Sequence, residues 1–190
     1  MAVKIHPSVD KGLSKQSKTF AGGTLRCKCK KDPVVVELTG NVVHNHICGC
    51  TKCWKPKGAL FSQVSVIATS NVKVVSGEKK LRVVDKKALI LRHACKECGA
   101  HMYGPVEREN HAFAGLSFVH TELSADKGWQ PPQFAAFVSS IIESGYDPKK
   151  MGGLRKQIKA LGLEPYDCLA PGLMDALATQ AAKNAGTLHA

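Results

Sequence analysis

The chain has 190 residues, with 27 Lys and Arg against 15 Asp and Glu, a formal net charge of +12. Apolar residues at 44% and charged residues at 22% are ordinary globular usage and exclude a disordered, collagen-like or coiled-coil chain. The charge is uneven: residues 1–98 hold 19 basic against 6 acidic side chains (+13), residues 99–190 hold 8 against 9 (−1), so the first half attracts anions such as nucleic acid, acidic membranes or small acidic metabolites.

Residues 1–19 are polar and Lys-rich without a sustained period, which predicts a basic, loosely docked N-terminal arm. They contain no apolar stretch of the kind a secretory signal needs. No apolar run reaches the roughly 18–20 residues of a membrane span. A cytoplasmic protein with no membrane partner is expected. From Phe20 the character changes. Short β-branched runs recur at 34–38, 42–47, 60–68, 72–75, 81–84 and 88–92, with another at 112–120, each bounded by Gly, Pro, Asp, Asn or Lys. Such spacing predicts an antiparallel β domain over 20–128. After Gly128 the period becomes helical. Phe134, Phe137, Val138, Ile141 and Ile142 follow two prolines and predict a first helix. Pro148 opens a second, carrying Leu154, Ile158 and Leu161 and stopping at Gly162; Pro171 opens a third with Leu173, Met174, Ala176, Leu177 and Ala181. These stripes are expected to pack as core. The fold class is therefore mainly β with a helical C-terminal extension (α+β), the extension over 129–190 lying on the β domain.

Seven of the eight cysteines form three tight groups: Cys27 and Cys29; Cys48, Cys50 and Cys53; Cys95 and Cys98. In a reducing compartment such a set binds metal more often than it forms disulfides. Sulfurs two or three positions apart in a turn can share one ion, and Gly49 and Gly99 let the backbone fold around it. A structural zinc takes four protein ligands; a catalytic zinc takes three and leaves a place for water or substrate. Seven ligands divide simply into a closed set of Cys27, Cys29, Cys95 and Cys98 and an open set of Cys48, Cys50 and Cys53. Spacing alone also permits Cys50 and Cys53 to join Cys27 and Cys29, and four cysteines equally suit an iron–sulfur cluster. Three thiolates on zinc favour a further sulfur in the fourth place. Lys52, Lys55 and Lys57 follow the middle group and can offset its negative charge. Cys168 stands alone, as a small buried residue or an idle thiol.

The segment HNHICGCTKCWKPKGALFSQV at 44–64, with GGTLRCKC at 22–29 and HACKECGAHMYG at 93–104, resembles the glutathione-dependent formaldehyde-activating enzyme family. FVHTELS at 118–124, FAAFVSSIIESG at 134–145 and LGLEPYDCLAPGLMDALAT at 161–179 carry the same resemblance, with about 20–167 as the family domain. The resemblance implies a zinc-bearing antiparallel sheet of the β-tent type and two zinc ions per chain. It implies Cys27, Cys29, Cys95 and Cys98 as structural ligands and Cys48, Cys50 and Cys53 as the catalytic set. The implied reaction joins formaldehyde to the co-substrate glutathione as S-(hydroxymethyl)glutathione, reversibly, as a carbon–sulfur lyase in formaldehyde detoxification. His44, His46 and His101 lie near the clusters in sequence and are candidates to move the proton, His46 first among them. Trp54, Lys52 and Lys55 are candidates to contact glutathione. Two rivals use the same features: a glutathione carrier without turnover, and a zinc-knuckle module binding nucleic acid or protein. Only three Tyr and two Trp accompany the charge, without the interleaving of basic and stacking residues that nucleic-acid binding uses. The sequence leaves the oligomeric state open.

Overall fold

A computed structural model describes residues 3–188. The strands are β1 Gly22–Arg26, β2 Val35–Thr39, β3 Val43–Cys48, β4 Ser62–Ala68, β5 Val72–Ser76, β6 Leu81–Val83, β7 His93–Cys95, β8 His101–Pro105, β9 Leu116–Val119, β10 Phe134–Ala136 and β11 Glu164–Pro165. Two helices flank β11 in the chain, α1 Met151–Ala160 and α2 Pro171–Ala185. β1, β2 and β5 form a small antiparallel sheet, and the other eight strands form a second in the order β11-β10-β3-β4-β9-β8-β7-β6. Alternation decides which faces meet. In β2, Val36 and Leu38 point inward while Glu37 and Thr39 face water. They join Leu25, Ile67, Met102, Val119 and Trp129 in one apolar core drawn from both sheets.

The large sheet is mixed, where an all-antiparallel one was expected. β10 lies parallel to β3, and β11 parallel to β10. The chain reaches β10 through the long connection after β9, and this return sets its direction alongside β3. The expected helix over 134–142 is accordingly a strand followed by a 3₁₀ segment, Val138–Ser144, with Phe137 between them at φ 52°. The expected strand at 88–92 is a turn region whose apolar side chains face a cleft.

The second helix forms as its sequence predicts. Asp147 caps the preceding turn by accepting from the Lys149 N–H at 2.9 Å, and Met151, Leu154 and Ile158 bury one stripe. That stripe belongs to a second core with Ile47, Phe61, Ala135, Val138 and Ile141. The N-terminal arm joins it: Ile5 and Val9 are fully buried there. The Ile5 carbonyl accepts from Leu60 and Phe61 N–H at 3.1 and 3.2 Å, and Gln157 holds both backbone groups of Val3. Residues 3–9 are thus docked, against the expectation of a loose arm, because a few apolar side chains among many lysines suffice to anchor a segment. The third helix, α2, departs in the opposite sense and buries none of its residues. No helix among the described residues is long and apolar enough to cross a membrane.

Candidate functional site

Cys27 and Cys29 sit in the turn between β1 and β2; Cys95 ends β7 and Cys98 lies in the turn before β8. Their four sulfurs lie within 4.8 Å of one another, with Cys29 Sγ 3.6 Å from Cys95 Sγ. Zinc–sulfur bonds of about 2.3 Å in a tetrahedron require sulfurs about 3.8 Å apart, so this set fits a closed ion. It ties the small sheet to the large one. Gly99, at φ 72°, makes the turn and donates its N–H to the Cys95 carbonyl at 2.9 Å. Burial would raise the Cys95 thiol, yet N–H groups of Cys98 and Glu97 hold it down at about 7. Glu97, paired with Lys80 at 3.2 Å, touches Cys29 at the rim and raises that thiol.

Cys48 ends β3. A register shift between Val43 and His46, with His44 at φ 50°, breaks the strand's alternation, so Asn45, His46, Ile47 and Cys48 are all buried. The loop then returns tightly, and the Gly49 N–H donates to the Ala136 carbonyl at 2.9 Å. Any Cβ on residue 49 would overlap the Phe137 carbonyl oxygen. Cys48, Cys50 and Cys53 present sulfurs within 4.8 Å of one another, Cys50 to Cys53 at 3.1 Å and Cys53 to Cys48 at 3.9 Å, none in a disulfide. Left to themselves the three cannot ionise together. Contact with Cys48, then with Cys53, holds Cys50 at about 2, while Cys50 drives Cys48 well above the ordinary thiol range. Cys48 pulls Cys53 down, but Cys50 and burial outweigh it and push Cys53 up to about 11. A divalent cation removes this conflict, since a coordinating thiol is deprotonated outright. The donor set therefore fits a metal with three protein ligands.

These sulfurs form part of the wall of a cleft of about 430 Å³. Its other walls are mostly apolar: Leu89 and Ile90 from the turn region, Phe113 and Phe118 near β9, Leu169, and Leu177 from α2. Arg92 and Lys52 supply positive charge. The structure scatters the remaining predicted residues. His46 lines the cleft, stacked on Phe134 at 4.9 Å between centroids, its Nδ1 2.8 Å from the His44 carbonyl. A carbonyl only accepts, so Nδ1 carries the proton and Nε2 is an acceptor. Burial pushes His46 down to about 4. His101 lines the cleft too, lowered to about 4 by burial and then by His120 and Arg92. His44 is exposed and lies outside this cleft. Trp54 lines an adjoining pocket with Asp85 and Ala88 rather than the cleft itself. Lys55 turns inward and donates to the Gly49 carbonyl at 3.1 Å, bracing the loop. Cys168 is exposed. His120 and Arg92 were not singled out from sequence. No spacing rule links either to the cysteine loop; Arg92 just before β7 and His120 just after β9 are carried there by the sheet.

A model of the family described as glutathione-dependent formaldehyde-activating enzyme matches residues 23–140. A Fusarium vanettenii protein is 58% identical over 185 residues, 97% of this chain and 99% of its own. A Colletotrichum graminicola protein is 57% identical over 190 residues, 100% of this chain and 99% of its own. Both are named provisionally as glutathione-dependent formaldehyde-activating enzymes. A crystal structure of a Rhodobacter sphaeroides protein aligns with 75% of this chain and 98% of its own at 16% identity and a TM-score of 0.42.

Proposed function

The chain belongs to the glutathione-dependent formaldehyde-activating enzyme family, and from that membership we propose that it joins formaldehyde to glutathione as S-(hydroxymethyl)glutathione and, in reverse, cleaves it as a carbon–sulfur lyase. The observation that carries the reading is the gathering of Cys48, Cys50 and Cys53 on the wall of a cleft. We read the four-cysteine set as a structural zinc site that joins the two sheets, in the manner of a β-tent. The three-cysteine set would hold a second zinc, whose Lewis acidity keeps a thiol ionised near neutral pH.

The protein's own groups do the rest. Arg92 and Lys52 offer cations to the carboxylates of glutathione, and the apolar walls exclude water from its sulfur. Lys55 holds the loop's shape through Gly49, and Trp54 backs it from the adjoining pocket. His46 Nε2 accepts a hydrogen bond from the incoming thiol or from the hydroxyl of the product. A sulfur electron pair forms the bond to carbon, the C=O π pair moves to oxygen, and the proton that leaves sulfur finishes on that oxygen. The adduct forms without net proton exchange. Positioning the two reactants supplies the acceleration. A reducing cytoplasm, where glutathione is available as the thiol, is the expected setting.

Exchange spectroscopy with ¹³C-formaldehyde and glutathione tests the reading. Zinc-loaded protein is expected to speed interconversion of free and adducted glutathione above the spontaneous rate. A spontaneous rate at stoichiometric protein would overturn the enzyme, and glutathione binding without acceleration would identify a carrier.

A further inference from the structure

Glu122 lies in the 3₁₀ turn Thr121–Leu123 after β9, its side chain 7% exposed. One oxygen, Oε1, is 3.3 Å from His120 Nδ1 and 3.7 Å from His6 Nε2. An ionised carboxylate is costly to bury unless paired. His120 is within hydrogen-bond distance of it and His6 lies just beyond, and the two come from distant parts of the chain. His120 follows β9 and lines the cleft of Cys48, Cys50 and Cys53. His6 comes from the N-terminal arm, seated by the fully buried Ile5 and Val9.

The hydrogen bonds fix both rings. A carboxylate accepts only, so His120 Nδ1 carries the proton. All recorded bonds of His120 run through Nδ1, to Glu122 and to Ser62 Oγ at 3.4 Å. Nε2, an acceptor in this tautomer, is the nitrogen left for a ligand in the cleft. In His6, Nδ1 accepts the Ser8 backbone N–H at 3.1 Å, so Nε2–H is turned toward Glu122. Burial favours a neutral Glu122, but His120 and His6 hold it at about 2. His46 has no carboxylate against it, and its one recorded partner is a carbonyl. Of the two rings, His120 alone has a neighbour that stabilises an imidazolium. The titratable groups around it are Glu122, His6 from the arm, His101 from β8 and His46 from β3, with Trp54 meeting its face edge-on at 5.9 Å.

We propose that His120 is a catalytic residue, the proton carrier of the cleft, oriented by Glu122, with His6 of the N-terminal arm as a second positioning residue behind it. His120 Nε2 takes the proton that the thiol loses as it ionises, and the thiolate sulfur then bonds to the formaldehyde carbon. The C=O π pair moves to oxygen, and Nε2–H returns the proton there. This rests on the reaction proposed above.

The test uses the full-length zinc-loaded protein. H120Q is expected to keep two metals and its glutathione affinity, while losing about 10²-fold or more in exchange rate. E122Q preserves shape and removes charge. It is expected to lower kcat with little change in KM; E122D should restore part of the rate. ¹⁵N spectroscopy of the native protein reads the tautomer without any turnover, and Nδ1–H is expected at His120. Nε2–H there overturns the proposal even if H120Q proves unstable. A wild-type protein that accelerates exchange while H120Q keeps its rate overturns the role of His120 alone. A wild-type protein that fails to accelerate it overturns the reaction and this role together.

Discussion

Replacing Ile5 by Ala removes a side chain that is fully buried in the second core while leaving its backbone bonds in place. The Ile5 carbonyl would still face Leu60 and Phe61, and its N–H would still reach Asp10 Oδ1 at 2.8 Å. The loss is therefore one of packing: transfer free energy plus the cavity left against the core. Such truncations cost about 2–5 kcal/mol. The arm can settle partly into the gap, which places the expectation near 3 kcal/mol. For a domain of this size, about 3 kcal/mol lowers Tm by roughly 6–12 °C. Thermal melting of zinc-loaded I5A beside the wild type measures it, with K4A, an exposed neighbour, as the control expected to melt with the wild type. Amide exchange at Leu60 and Phe61 should also quicken, since their acceptor lies on the loosened arm. I5A melting within about 1 °C of the wild type, with unchanged exchange at these amides, would refute the docking of residues 3–9.

C98S is expected to lose one metal and melt early, because structural metal binding is folding free energy, whereas C53S should keep the fold and lose the second metal; metal content and melting of both decide, and the opposite pattern reverses the two sites. G49A should displace the loop at Phe137 and reduce occupancy of the three-cysteine site while the four-cysteine site stays filled, read by metal analysis. Glu122 is held at about 2 against an ordinary 4.5, so its contribution to stability is complete above pH 4.5 and is lost as pH falls toward 2. The difference in Tm between wild type and E122Q should accordingly be largest near neutrality and narrow below pH 4.5; a difference that is constant with pH would exclude this linkage.

Cysteine spacing, read locally, was enough to propose the three-cysteine and four-cysteine groups that the fold assembles. Pro148, Gly162 and Pro171 likewise marked helix ends, because these residues act on the backbone beside them. Periodicity misled where pairing was decided at a distance. Phe134, Phe137, Val138 and Ile141 repeat as a helix does, yet β3 and β11 supply backbone partners for Phe134–Ala136, and a strand forms there. An apolar run at 88–92 reads as a strand until Leu89 and Ile90 are found facing a cleft, and Ile5 and Val9 are too few to outweigh the surrounding lysines in any composition window. The sequence by itself determined the three cysteine groups and the sulfur donors they offer, since residues two or three apart need only a turn to converge; the fold decided that Cys27 and Cys29 meet Cys95 and Cys98. Only the tertiary structure decided the cleft and the meeting of His6, Glu122 and His120, because burial and the tautomer it imposes depend on groups more than a hundred residues apart in the chain.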